Sequence, residues 1–311
     1  MIKTNQTVVR EFLLMGFGDL QELKILIFVI LLVFYIMALT ANSIVVILVI
    51  VSKNLHSPMY VFLSQLSLSE ILFTSNIQPI MLWLSLVGGG KIPITGCLLN
   101  FCLISVCGIT QCLLLIALSF DRYVAVCKPL HYTLIMTSRL QLQIVALCWS
   151  MGFTLSFVLY AFLDRLEFCG PHIINHFYCD VPPVLELSCS DISSAKLVTS
   201  MLSIPLVLCP FMFIVGTYVF IFNTILKMTS SIRRQKAFST CSSHLIVACL
   251  YFGSLGTVYI FSPKSSPSNS NKYLSLVYVF VTPIFNPLIY SLRNQDIRGA
   301  IIKYIHIFCK W

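Results

Sequence analysis

The sequence predicts an all-α membrane protein: one domain spanning 1–311, built as a bundle of seven transmembrane helices. Charged residues vanish over seven stretches, 25–52, 54–90 (Glu70 alone interrupts it), 92–120, 140–163, 197–226, 237–263 and 273–292. A helix needs about 20 apolar residues to cross the roughly 30 Å hydrocarbon core of a bilayer, so each stretch is long enough. The chain is also 58% hydrophobic and 10% charged, with a mean hydropathy of +0.92, whereas soluble domains carry about 25% charged residues. Burying seven such helices together in a soluble fold is excluded by surface-to-volume scaling at 311 residues.

Seven crossings put the termini on opposite sides. With the N-terminus outside, the inner segments hold twelve Lys and Arg against eight outside, and eight of the acids fall outside. That bias sets the orientation by the positive-inside rule. It divides the chain into an extracellular segment 1–24, the bundle 25–292 and a cytoplasmic tail 293–311. A basic inner face suits anionic membrane lipid and an acidic cytosolic partner. Nucleic acid is not indicated, because the basic residues are scattered along membrane boundaries.

Before the first span, Asn5-Gln6-Thr7 is an N-glycosylation sequon, which works only in the secretory lumen. The first 24 residues lack a short apolar core followed by a small-residue cleavage site, so the first span is expected to act as an uncleaved signal anchor. The second span holds Glu70, the only carboxylate deep in a span, and Pro79. A charge there costs at least about 2.5–3.5 kcal/mol, so Glu70 is expected to face the bundle interior. Two readings stand: an ion or proton site, with sodium a candidate, or a neutral carboxyl that ties helices together. Asn42 of the first span, Gln111 of the third and Asn286 of the seventh are its candidate partners. The third span ends in Asp121-Arg122-Tyr123.

The loop 164–196 follows the fourth span. It carries Cys169, Cys179 and Cys189, and Cys97 opens the third span on the same, oxidising side. Four cysteines allow three pairings. The expected one is Cys97–Cys179, stapling the loop over the bundle, with Cys169–Cys189 inside it. The other nine cysteines lie in spans or on the reducing side. His172 and His176 beside these cysteines match no tetrahedral metal motif, and no metal site is expected. Pro171 and Pro182-Pro183 are expected to interrupt any helix in the loop, which reads as a lid over an outer cavity.

Pro205 and Pro210 bend the fifth span; Pro283 and Pro287 bend the seventh. Each removes an intrahelical hydrogen bond. In the tail, Ile301, Ile302, Ile305 and Phe308 beside Arg298, Lys303 and Lys310 predict a short amphipathic helix on the inner leaflet.

Asp121-Arg122-Tyr123 and Asn286-Pro287-Leu288-Ile289-Tyr290 resemble the motifs of rhodopsin-like G-protein-coupled receptors. The extended runs Leu55–Tyr60, Ser119–Tyr132, Lys236–Leu245 and Pro283–Asn294 resemble the olfactory (odorant) receptor family from about Asn5 to Arg298. The resemblance implies that Arg122 pairs with Asp121 at rest and turns on activation toward Tyr218 and Tyr290. A cleft would then open for a stimulatory heterotrimeric G protein that raises cyclic AMP. Lys236, Thr240 and His244 would line the inner end of the sixth helix, the element expected to swing. Three departures matter. Glu70 stands where Asp is usual, and Gln111 where many members have Glu, which weakens a sodium site. Tyr251-Phe252 reverses the usual Phe-Tyr order. Ala41 replaces the common Gly before Asn42.

Counting along helices from these motifs places the ligand among Ile104, Ser105, Gly108 and Ile109 of the third span and Leu202, Ser203 and Leu206 of the fifth. The sixth adds Phe252, Leu255 and Tyr259, and the seventh Leu276 and Val279. Such a cavity favours a small, mostly hydrophobic, uncharged odorant, held by burial at about 25 cal/mol per Å². Ile104 stands where amine receptors carry an acid. No lysine lies inside the seventh span for a Schiff base, no inverted repeat suggests a transporter, and no nucleophile–base set at bilayer depth suggests an enzyme. A non-olfactory receptor of the same fold, for a small metabolite, is the alternative.

Overall fold

The structure is a computed structural model and describes residues 9–169, 172–259, 269–293 and 295–308. Its helices are α1 (Lys24–Val51), α2 (Pro58–Val87), α3 (Ile94–Cys127), α4 (Tyr132–Ile135), α5 (Ser138–Leu163), α6 (Val181–Glu186), α7 (Ser193–Leu226), α8 (Ser231–Tyr259), α9 (Asn269–Arg293) and α10 (Gln295–Phe308). All but α4, α6 and α10 are long and apolar enough to cross a membrane, which gives seven spans. Their outward faces confirm the solvent they require. Helix α1 turns Ile25, Ile36, Ile47 and Ile50 outward and buries only a narrow stripe around Ala38, Asn42 and Val45.

Helix α3 is the axis of the bundle, buried along most of Cys97–Val124 and packed against α2, α5 and α7. A small residue lets α5 approach it closely. A Cβ on Gly152 would collide with Thr110 Oγ1 and the Val106 carbonyl. Helix α2 ends at Gly88, whose left-handed φ of 78° closes the last turn.

Three short strands cap one end. β1 (Glu11–Leu14) pairs antiparallel with β2 (Gly90–Pro93) and parallel with β3 (Ile173–Ile174), in the order β2-β1-β3. The segment ahead of the first span is therefore a structural strap. Phe12 and Leu14 are buried in a cluster with Leu84, Leu98, Leu163 and Val184. The prolines in the lid do not interrupt every helix, contrary to the sequence expectation. Pro182 and Pro183 occupy the first turn of α6, where a missing N–H costs nothing, and the Asp180 carboxylate accepts the Val181 N–H at 2.8 Å.

At the opposite end, α10 turns off the bundle as the amphipathic tail helix that was expected. Ile297 is fully buried, Ile301 is half-buried, and Arg298 and Lys303 are exposed. Tyr60 Oη donates to Asp296 at 2.8 Å and Tyr304 Oη to the Val51 carbonyl at 3.0 Å. Asn5 lies outside the described residues.

Candidate functional site

A cavity of about 150 Å³ lies beneath the cap, between α3, α5, α7, α8 and α9. An apolar cavity of about 150 Å³ is large enough to take up benzene. Seven predicted residues line it: Ile104, Ser105, Gly108 and Ile109 of α3, Ser203 and Leu206 of α7, and Leu255 of α8. Sequence reasoning missed Phe101, Cys112, Leu159, Thr199, Val207, Tyr251 and Tyr278. The loop read as a lid does form part of the wall, through Asp180, Val181 and Pro182, which the sequence had not singled out for the site.

Four predicted residues do not line it. Leu202 faces a groove on the lipid side of α3, α5 and α7. Phe252 packs on Phe211 with ring centroids 6.0 Å apart, while the adjacent Tyr251 turns inward and donates to the Gly108 carbonyl at 2.8 Å. Leu276 and Val279 pack in the helical core, and Tyr278 takes the α9 place. Pro283 lies between the anchoring motif and these residues, and a proline kink breaks the helical phase on which the count relied. The Tyr259 side chain lies outside the described residues.

The lid is held from several directions. Both expected disulfides, Cys97–Cys179 and Cys169–Cys189, are present. Lys272 Nζ of α9 donates to Asn175 Oδ1 at 2.8 Å and lies 5.0 Å from the Phe177 ring centre, a cation–π distance. His176 contacts the Tyr178 carbonyl at 3.2 Å and Ser275 Oγ at 3.3 Å. Burial, opposed by that carbonyl contact and reinforced by the Lys272 ammonium, holds the imidazole down at about 4, so it is neutral near pH 7. Asn100 Oδ1 accepts the Cys179 N–H at 3.3 Å, and Asn100 and Asn76 exchange amide-to-carbonyl bonds at 3.1 and 3.0 Å. The staple is thereby tied to both α2 and α3.

The far end of α3 carries the charged tripeptide. Asp121 is fully buried and pairs with the Arg122 guanidinium through Nε at 3.0 Å and through Nη2. Its other oxygen accepts from Tyr132 Oη of α4 at 2.8 Å. Burial, and the adjacent carboxylate after it, push the Tyr132 phenol above its usual range, so it stays a proton donor. Tyr123 meets Phe220 edge to face at 6.3 Å. Tyr218 contacts His244 Nδ1 through its hydroxyl at 2.6 Å. His244, in the half of α8 that was expected to carry it, is buried in the α7–α8 seam. The side chains of Lys236 and Tyr290 lie outside the described residues.

A bundle of seven spans with a lidded cavity at one end and a buried Asp–Arg pair at the other is the frame of a membrane receptor. The olfactory receptor family model matches residues 31–309. The chain belongs to the olfactory receptor family. This receptor is 39% identical over 301 residues to olfactory receptor 5P52 of Mus musculus, covering 97% of each chain. It is 38% identical over 305 residues to olfactory receptor 11L1 of Homo sapiens, covering 98% of this chain and 95% of that one. Olfactory receptors are odorant-sensing G-protein-coupled receptors, so this chain is a receptor and not an enzyme, and a multi-pass plasma-membrane protein.

Between the receptor's two ends sits a polar cluster around Glu70, which is fully buried. Asn286 Nδ2 donates to Glu70 Oε1 at 2.7 Å, as the sequence anticipated; Pro287 follows it in α9. The other two candidate partners behave differently. Asn42 donates to the Ala38 and Pro283 carbonyls, both at 2.9 Å, bracing α1 against α9 at Pro283. Gln111 approaches the Glu70 carboxyl without completing a hydrogen bond. Glu70 Oε2, Asn42 Oδ1 and the whole Gln111 amide are left buried with no hydrogen-bond partner.

Proposed function

We propose that the receptor binds a small, mostly hydrophobic, uncharged odorant in the cavity among α3, α7, α8 and α9, and activates a stimulatory G protein that raises cyclic AMP. The observation that carries this reading is the cavity itself. Its walls are chiefly apolar, with Ser105, Thr199, Ser203 and the two tyrosines as orienting groups, and among the described residues no charged side chain of the bundle lines it. Among the described residues Asp180 of the lid is the one acid in the wall, and its Oδ1 already accepts a backbone N–H. In this reading the N-terminus, Asn5 as a glycosylation site and the lid are extracellular, and the Arg122 end faces the cytosol together with Lys236 and Tyr290.

The donor set around Glu70 also fits a small hard cation, which prefers oxygen ligands. We propose sodium there, with Glu70 Oε2 supplying charge, Gln111 Oε1 supplying a neutral oxygen and Asn286 completing the site from α9. When bound, the ion would neutralise the carboxylate and hold α2, α3 and α9 in one arrangement.

A cyclic AMP reporter screened against volatile and polar-metabolite panels tests the main reading, with surface display measured in parallel. Volatile, apolar agonists are expected, with the response abolished in both Gly108→Trp, which fills the cavity, and Arg122→Ala. A receptor that answers only polar metabolites, or that still signals as Arg122→Ala, refutes it.

A further inference from the structure

We propose that the odorant reaches the cavity from the side, out of the bilayer, through a gate at Leu206 between α3, α5 and α7. The proposal rests on the cavity being the odorant site.

A groove of about 450 Å³ runs along the lipid-facing surface of these three helices, lined wholly by apolar side chains that include Leu113, Leu155, Met201, Pro205 and Cys209. Leu206 lines both this groove and the internal cavity. The other walls continue in the same way from one turn to the next. Ile109 and Cys112 of α3 line the cavity, while Leu113 and Ile116, one turn further on, line the groove. On α5, Leu159 lines the cavity and Leu155 the groove. Leu206 is thus the wall residue that the cavity and the groove share, and its side chain, a flexible rotor, is the gate of the proposal.

Two features make this the point of access. The disulfide end of the cavity is walled by Asp180, Val181 and Pro182, in a lid pinned by Cys97–Cys179, by Lys272–Asn175 and by β1–β3 pairing. Helix α7 is also weakened where it would have to give. Pro205 and Pro210 have no N–H for the carbonyls of Met201 and Leu206 four residues earlier, so two rungs of the helical ladder are missing around the gate. A molecule that passes an all-apolar groove must be uncharged and membrane-soluble, so the groove adds a partition filter to the selectivity of the cavity.

Photolabelling of the full-length receptor in bilayers separates the possibilities. A phenyl(trifluoromethyl)diazirine is supplied either free or fixed to the end of a phospholipid acyl chain, and label on Ile104–Cys112 is read by peptide mass spectrometry. Both probes are expected to label cavity residues in the wild type. Labelling by the lipid-borne probe is expected to fall about tenfold in Cys209→Trp and in Leu113→Trp, the effect of overfilling a passage. These variants sit on opposite walls of the groove and outside the cavity, so one serves if the other fails to reach the membrane. If the free probe labels the cavity while the lipid-borne probe labels only groove residues, the lateral route is overturned and the cavity reading survives. If the free probe labels the wild-type cavity no better than that of Gly108→Trp, the cavity reading falls and the route falls with it.

Discussion

A carboxyl group buried in a membrane must be paired, bonded or neutral, and Asp121 and Glu70, both fully buried in the bundle, solve this differently. Asp121 meets a guanidinium and a phenol and has both oxygens occupied. Glu70 has one oxygen bonded to an uncharged amide and one with no partner. Asp121 is therefore fully satisfied, and Glu70 keeps one oxygen unbonded in the proposed sodium site. Glu70→Gln keeps the shape and a carbonyl acceptor for Asn286 but removes the charge that a cation would need. It is expected to abolish any change in basal reporter output when sodium is exchanged for choline, while leaving surface display intact. Basal output that ignores sodium in the wild type would remove the ion and leave the carboxyl as a helix tie. The sequence exposed Glu70 because a lone acid in a charge-free run is conspicuous. It could not show which amide would bond it, since Asn42, Gln111 and Asn286 are chemically alike and only packing separates them.

At the scale of elements, the cap is where sequence reading fell short, and the reason is physical. Spans announce themselves through twenty-residue apolar runs. The strand Glu11–Leu14 is four residues long, and its partners Gly90–Pro93 and Ile173–Ile174 are far off in the chain, so no local periodicity signals it. The cysteines were legible because compartment restricted them to four. The two staples differ in the chain they close: Cys97–Cys179 spans 82 residues and Cys169–Cys189 spans 20. In the chain-entropy view these lengths are worth about 4.5 and about 3 kcal/mol. Cys97–Cys179 also anchors the cavity wall, the Asn100–Asn76 bonds and the β3 strand. Cys179→Ser is therefore expected to abolish surface delivery, whereas Cys169→Ser should reduce it only in part. Antibody staining of intact cells against total protein measures both, and equal delivery of the two variants would refute the ranking. The cavity was half legible for a related reason. Helical counting held on α3, which has no internal proline and is anchored at Arg122, and slipped on α7 and α9, whose prolines intervene.

Across the whole molecule, the two ends are joined through α8, which is fastened by two phenol contacts on one face. Tyr251 reaches the Gly108 carbonyl at the floor of the cavity. His244, seven residues or two helical turns away, meets the Tyr218 hydroxyl near the Arg122 end. In the proposed activation, an odorant pressing on Tyr251 would contend for the first contact, and a guanidinium released from Asp121 would contend for the second. An outward swing of α8, which the family resemblance implies, would break both, so each contact would weight the balance toward the arrangement described here. The reversed Tyr251-Phe252 pair then has a purpose: Tyr251 places the phenol where it ties α8 to α3, and Phe252 is left to pack against Phe211. Deleting one buried hydrogen bond is worth about 1 kcal/mol, or about a fivefold shift between two populations. Tyr251→Phe is thus expected to raise basal cyclic AMP output severalfold and lower the agonist concentration for half-maximal response. His244→Phe should raise basal output through the other contact without altering which odorants are recognised. Reporter titrations of the two variants at matched surface density decide the matter. Basal output at or below wild type in both would mean that these contacts support the active arrangement instead, and that α8 is held at rest by packing alone.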